Sequence, residues 1–596
     1  MIPPAQGRSL EAISPPKPPG IRELTPRSTI VGLLVAVVIG ASYPYVVLKF
    51  GFGPNISVVS AFFGFLALGL FSRTYNRWEN NIVQTAGTAA GQIAFLAWLL
   101  AAFDLLADEV GSGFDVRMSR MQAFVWLSAS GLLGVFLAVP LRKHFIVDEK
   151  LPFADGMAAG ETLIMLDRRG SEARQSTFSM VGALVASGFV FLATQLKWVA
   201  ENLIVPLNAF SARVYAGFGI SLLSIGSGMI IGLRICWSML LGTAIAWVLG
   251  PLWFLHIGLI QPEAKRVDIL LLGMWPAVGL LVAGGMTALL LRWRALGATF
   301  QSLAAAKSES GDLPLRWVWM GGLASAVFLV VVQSAFFGTP VWHSIAAIAL
   351  SIPLGLVALR VLGETNWGPI STMTNLSQAF FGVIAPGNLR ASMITSGVTG
   401  AVAAESEGLI QDFKAGDMIQ STPKYLTYMQ LMAVPVGALA LAFMYPVLRD
   451  TYGIGGEKGL SSPISTRWVG FAKIMTQDLT GPGALSAASQ ARLEWMKSSF
   501  AVGAAIGVVL TLLEQKRSWR KWVPSPTGMG TGMIIPASTI VTMFVGALLD
   551  WIWGKLSSAS HAKFSIPIAA GLIAGEALVA VIIPLLVLLG WMALPP

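Results

Sequence analysis

About sixteen separate apolar stretches recur along these 596 residues, and nothing else in the sequence constrains the fold as strongly. They centre near 30–48, 56–72, 82–106, 121–140, 178–197, 218–233, 236–260, 267–292, 316–337, 341–362, 369–386, 391–410, 427–448, 498–514, 538–553 and 564–592. A helical membrane span needs about 17–25 residues, and most of these stretches reach that length. Inside lipid every backbone amide must be bonded within the chain, which leaves helices or a closed barrel. A barrel would show strands of roughly ten residues with alternating polarity. No such alternation occurs, so the expected fold is an all-α polytopic membrane protein with about sixteen transmembrane helices. Charged residues make up only 12% of the chain, against about 25% in soluble domains.

The net charge of +10 does not point to nucleic acid, because the basic residues sit in short loops between apolar runs. Arg73 and Arg77, Arg142, Lys143 and Lys150, Arg168, Arg169 and Arg174, Arg292 and Arg294, and Lys516, Arg517, Arg520 and Lys521 form this pattern. It is the bias of cytoplasmic loops. Threading the spans from a cytoplasmic N-terminus keeps all these loops on one side and places Asp104, Asp108, Glu109 and Asp115 on the other. Residues 1–28, rich in proline, read as a disordered cytoplasmic tail, and the multi-pass chain belongs in the cell membrane. One cysteine, Cys236, excludes a disulfide framework, and four histidines without ligand spacing give no metal site. No phosphate-cradling loop and no soluble domain are present for ATP, so energy would come from an ion gradient. No cofactor is expected.

Echoes within the chain suggest a duplication. Pro152, Gly156, Met157 and Gly160 match Pro524, Gly528, Met529 and Gly532. Ala61-Phe62-Phe63-Gly64 matches Ala379-Phe380-Phe381-Gly382, and Thr85, Gly87 and Gly91 match Thr395, Gly397 and Ala401. The expected organisation is a first transmembrane half at 29–294, a cytoplasmic linker at 295–315, and a second half at 316–596 with an extracytoplasmic loop at 449–497. Segment 151–166 lies between two basic loops, so it should enter and leave on one side. Segments 151–166 and 523–536 are therefore expected to be a pair of re-entrant or short in-plane elements. Repeats with Gly/Pro-interrupted helices at matching places build the midplane sites of secondary transporters.

The stretch from Glu364 to Asp417 combines membrane-helix composition with Glu364, Asn366, Gln378, Asn388, Glu405, Glu407, Gln411 and Asp412. Ionisable groups at such depth are costly and tend to mark pathways. Asn81, Gln84, Thr85, Thr88 and Gln92 recur at steps of three and four and share one helix face. Such a stripe serves either a cavity wall or helix-to-helix hydrogen bonds. Glu405 and Glu407 fit either a buried site or a solvated helix end beside Lys414. The expected pocket is lined by Asn81, Gln84, Thr85, Thr88, Glu364, Asn366, Ser371 and Thr395. The expected proton carriers are Glu364, then Glu405 and Asp412, since burial in a poorly hydrated pocket favours the protonated acid.

GETNWGPIS at 363–371, ENNIVQTAGTAAG at 79–91, LPFADGMAAGETL at 151–163, LIQDFKAGDMIQSTPK at 409–424 and VPSPTGMGTGMIIP at 523–536 resemble the oligopeptide transporter family, including its yellow stripe-like branch. The likeness runs from about residue 28 to the C-terminus and is of the shorter, prokaryotic type. Here Trp367 and Gly368 separate Asn366 from Pro369, whereas fungal and plant peptide carriers of the family have an Asn-Pro pair. The resemblance implies a proton-coupled importer of small oligopeptides, or of metal complexes with siderophore-like or nicotianamine-like chelators. Its partners would be membrane lipid and that substrate, and a homodimer is compatible with it. A channel, a membrane-embedded enzyme and a carrier of another family are the competing classes.

Overall fold

The computed structural model describes residues 17–588 apart from 51–55, 72–75, 109–116, 168–170, 292–310, 386–387, most of 455–486, 517 and 520–521. In chain order the first helices are α1 (Pro26–Phe50), α2 (Ile56–Phe71), α3 (Arg77–Phe95), α4 (Ala97–Ala107), α5 (Arg120–Ala138), α6 (Ala154–Asp167) and α7 (Ser171–Gln195). A small antiparallel hairpin, β1 (Asn202–Ile204) with β2 (Gly217–Gly219), precedes α8 (Leu222–Ile231). Next, α9 (Leu233–Thr243) runs through a π-turn into α10 (Gly250–His256), and α11 (Arg266–Leu291) follows. The rest comprises α12 (Leu315–Phe337), α13 (Val341–Thr365), α14 (Ile370–Ile384), α15 (Leu389–Ile419) and α16 (Pro423–Tyr452). The chain closes with α17 (Ala487–Gln515), α18 (Pro526–Ile534), α19 (Ala537–Leu556) and α20 (Ser558–Leu588).

Local chemistry sets many of these ends. Asn76, Ser221, Asn388 and Ser525 each accept a backbone amide of the turn they precede, as helix-starting side chains do. Ser119 and Gln122 form a reciprocal capping box on α5. Gly338 ends α12 with a left-handed φ of 62°, which glycine adopts without penalty.

Twelve helices among the described residues are long and apolar enough to cross a membrane. Four of the sixteen expected spans are not among them: 56–72, 218–233, 369–386 and 391–410. Three of these are short, with α2 at 16 residues, α8 at 10 and α14 at 15. The fourth, α15, has 31 residues but carries Glu405, Glu407, Asp412, Lys414 and Asp417. Nearly all of it is buried, so its surroundings are other helices rather than lipid.

The chain interleaves. Helices α1, α3, α5 and α6 pack against α13, α15 and α16 from the third quarter, and all of these but α6 share the largest apolar core. Helices α7, α8, α9 and α11 pack instead against α17 to α20 from the last quarter. In this second group glycines let backbones touch. A methyl at Gly228 would meet the carbonyl of Met543, and one at Gly532 would meet that of Met239. Gly242 faces the carbonyl of Met529 in the same way, and Gly546 that of Ile225. These contacts are reciprocal at a constant offset of 304 positions (225 to 529, 228 to 532, 239 to 543, 242 to 546). The matching strings are GSGMII at 226–231 and GTGMII at 530–535. The structure thus sets 526–547 against 222–243, whereas the helix of 151–166 packs on α15, α2 and α20. Both α6 and α18 are shorter than the roughly 20 residues a span needs.

Residues 1–16 of the expected tail, about half of the 449–497 loop and most of the 295–315 linker lie outside the described residues. Residues 17–28 are placed. Glu23 is buried and accepts from the Thr422 amide at 2.9 Å, and Thr25 donates to Glu79 at 2.6 Å.

Candidate functional site

Between the two packing groups lies a cavity of about 680 Å³, within the range of roughly 300–1,000 Å³ typical of ligand pockets. Its wall draws on α1, α2, α3, α6, α7, the β-hairpin, α8, α11, α13, α14, α15, α18, α19 and α20. The break between α13 and α14, residues 366–370, lies on this wall.

Helix α13 stops at Asn366, which takes the left-handed conformation with φ 57°, a state short polar residues tolerate. Gly368 and Pro369 follow, and Pro369 precedes α14. The Asn366 side chain fixes this break to the start of α6. Its Nδ2 donates to Asp155 Oδ1 at 2.7 Å, and its Oδ1 accepts the Asp155 amide at 2.9 Å. The next free amide of α6, that of Gly156, donates to Gln411 Oε1 at 2.6 Å. One helical turn before Gln411, Glu407 lies against Gly368, where any side chain would collide with its carboxylate. Break, α6 terminus and α15 therefore converge, with Asp155, Asn366, Gly368, Glu407 and Gln411 all on the cavity wall.

Of the eight pocket residues expected from sequence, Asn366 and Ser371 line the cavity. The α3 stripe faces α15. Asn81 donates to Ser421 at 2.8 Å, Thr85 to the Asn81 carbonyl at 2.9 Å, and Gln84 to Asp412. Thr88 donates to Ser57 at 3.1 Å, and Ser57 is itself on the wall and 3.4 Å from Asp412. Thr395 bonds back to the Ala391 carbonyl at 2.7 Å within its own helix. Glu364 stands elsewhere, paired with Arg360 at 2.8 Å, with Ser525 Oγ 3.4 Å away. Arg360 also holds Glu149 at 2.7 Å.

Glu405 and Glu407 do not form a solvated helix end: α15 continues to Ile419, and both acids and Lys414 are buried. Glu405 Oε2 accepts from Gln430 at 2.9 Å, while its Oε1 has no partner. Asp412 likewise keeps one oxygen, Oδ2, unpartnered. Among the described residues, neither acid has a cation within ion-pair distance.

Sequence reasoning missed Asp155, Arg266, Gln411 and Glu576 as wall residues. Glu576 reaches across from α20 and accepts from Ser221 Oγ and the Leu223 amide, both at 2.9 Å, so it closes the α8 N-terminus. Asp155 carried a usable signal, the acid opening a glycine-rich helix at 154–160. Arg266 carried none, since one arginine at a helix start reads as a loop charge.

The sequence matches the profile of the OPT oligopeptide transporter protein family over residues 23–587. It is 23% identical to a putative oligopeptide transporter of Saccharomyces cerevisiae over 95% of this chain and 96% of that one. The metal-nicotianamine transporter YSL2 of Arabidopsis thaliana is 23% identical over 94% of this chain and 93% of its own. A putative oligopeptide transporter of Haemophilus influenzae is 24% identical over 91% and 92%. Matched along nearly its whole length, the chain belongs to the oligopeptide transporter family.

Proposed function

We propose that this protein is a proton-coupled secondary importer of small oligopeptides in the cell membrane, with its N-terminus in the cytoplasm. Members of its family are transporters rather than enzymes. The observation that carries the reading is the cavity at the α13–α14 break, backed by buried acids that hold no cation. Broken helices at a repeat interface are the usual binding place in secondary transporters. The same reading counts α2, α8, α14 and α15 as membrane-embedded, which makes sixteen with the twelve longer helices.

Coupling is assigned to Asp412 and Glu405 ahead of Glu364. A proton is what can balance a buried carboxylate that has no cation, and Glu364 already has Arg360. Asp412 is one hydroxyl, Ser57, away from the cavity wall, so protonation and substrate occupancy have a short physical link. A second reading, import of metal–nicotianamine complexes, is supported by the similarity to the metal-nicotianamine transporter of Arabidopsis thaliana over nearly the whole chain.

Purified protein in liposomes, given an inward pH gradient, is expected to accumulate labelled tri- to pentapeptides and to lose accumulation with a protonophore. Peptide uptake that ignored both would defeat the coupling claim. Accumulation of nickel–nicotianamine in place of peptide would transfer the assignment to the second reading.

A further inference from the structure

Two ionisable groups on the cavity wall lack a counter-ion among the described residues, and their charged forms have opposite sign. Arg266 opens α11, and its guanidinium lies over the rings of Tyr215 at 5.0 Å and Trp247 at 5.4 Å. Its Nε is buried without a hydrogen-bond partner. Glu407, on α15, is only 4% exposed, and its Oε1 is buried without a partner. Among the described residues neither group makes an ion pair, with the other or with anything else. The remaining acids of the wall differ. Asp155 is held by Asn366, Glu576 by Ser221 and the Leu223 amide, and Glu201 is exposed on the loop leading into the hairpin.

A buried charge without a counter-ion is costly, by several kcal/mol per ion. One cavity that keeps one cation and one anion apart, while satisfying its other buried acids, is prepared for a ligand that brings both complements. We propose that the cavity selects linear peptides with both termini free, holding the ammonium at Glu407 and the carboxylate at Arg266. Arginine is suited to the second task because its planar fork binds a carboxylate through two parallel hydrogen bonds. The wall between the poles offers hydroxyls and rings, among them Ser371, Thr531, Tyr43 and Trp367. Its other charged residues are Asp155 and Glu576, both hydrogen-bonded, and Glu201, which is exposed and so is already balanced by water. This inference rests on the transport reading and narrows its substrate to peptides.

The test uses full-length protein, with thermal stabilisation and liposome uptake read for tetra-alanine, its N-acetyl form and its C-terminal amide. Each block removes one charge, and each is expected to weaken apparent affinity by about tenfold or more, as loss of a partner from a buried charged pair does. In Glu407→Gln the free and N-acetyl peptides become equivalent while the amide is still rejected. Arg266→Gln shows the reverse: free peptide and amide become equivalent while the N-acetyl form is still rejected. Should either variant fail to fold, Glu407→Asp and Arg266→Lys keep the charges and are expected to keep both preferences. The inference is overturned if blocked peptides bind as well as free ones, or if each variant loses both preferences together. It is overturned too if the wild type takes up nickel–nicotianamine but no peptide, an outcome that leaves the transporter reading standing. Failure of every peptide and chelate to cross under an imposed gradient sinks the transporter reading as well.

Discussion

Two groups of carboxylates stand on either side of the same helix break and are treated in opposite ways. Glu149 and Glu364 share Arg360, at 2.7 and 2.8 Å, and form a clamp between the 143–150 turn, the end of α13 and the start of α18. Glu405 and Asp412 on α15 are fully buried, accept hydrogen bonds from the amides of Gln430 and Gln84, and among the described residues have no cation. An acid whose charge is already balanced ties elements together. An acid left with neutral donors is free to exchange the proton that balances it. In a bilayer, position in the sequence says little about which role a carboxylate plays, and the nearest arginine says a great deal.

The sharpest way to break this contrast is to remove titration on both sides of it. Asp412→Asn and Glu405→Gln keep shape and a hydrogen-bond acceptor. Each is expected to cut accumulation driven by a pH gradient by about a hundredfold, the effect of losing a group essential to proton transfer. Glu364→Gln is expected to retain its response to the gradient. A normal gradient response in both α15 variants and its loss in Glu364→Gln would reverse the assignment.

Next in size is the clamp itself. Arg360→Gln removes the guanidinium that Glu149 and Glu364 share, leaving Glu149 only His144 at 3.1 Å, and breaking such a pair costs about 3 kcal/mol or more. The expected readout is a clear fall in thermal midpoint of the detergent-solubilised protein. Adding Glu364→Gln to Arg360→Gln should recover part of that fall, because one uncompensated charge has gone. A double variant as unstable as the sum of the two single variants would show that the pair does not act as a unit.

A smaller effect is expected at the break. Asn366→Ala removes two hydrogen bonds to Asp155 and puts alanine in a left-handed conformation. A loss of about 2 kcal/mol is expected, together with weaker peptide binding. Asn366→Gly restores the conformational freedom, so it should be more stable than Asn366→Ala if the backbone strain is real. Smallest of all, Ser525→Ala loses the cap of α18 and the 3.4 Å contact to Glu364, worth about 1 kcal/mol.

The sequence made the membrane class and the family plain, because apolar length and five ordered motifs depend on local runs of residues. The polar character of α15 was equally visible, yet its depth was not. Glu405 and Glu407 beside Lys414 look like a wet helix end until α3, α5 and α6 are packed around them. The α3 stripe was read as one face, but a face has no destination in a single sequence: Gln84 meets Asp412 on α15, Thr88 meets Ser57 on α2, and Gln92 reaches the cavity. Arg266 was out of reach for the same reason, since its importance lies in Tyr215 and Trp247 beneath it and in having no acid at ion-pair distance among the described residues. The short strings GSGMII and GTGMII could have been matched from the sequence alone. A competing echo of Pro, Gly and Met at an offset of 372 obscured them.

The glycine-lined contacts between 222–243 and 526–547 also set a timetable for biosynthesis. When the ribosome has completed α8 and α9, the backbone faces they will press against do not yet exist. Nearly 300 residues must still be made. At about 5–20 residues per second that is a wait on the order of tens of seconds. During that interval the small-residue faces of Gly228 and Gly242 are open to other helices, and only the last hundred residues to emerge can close them.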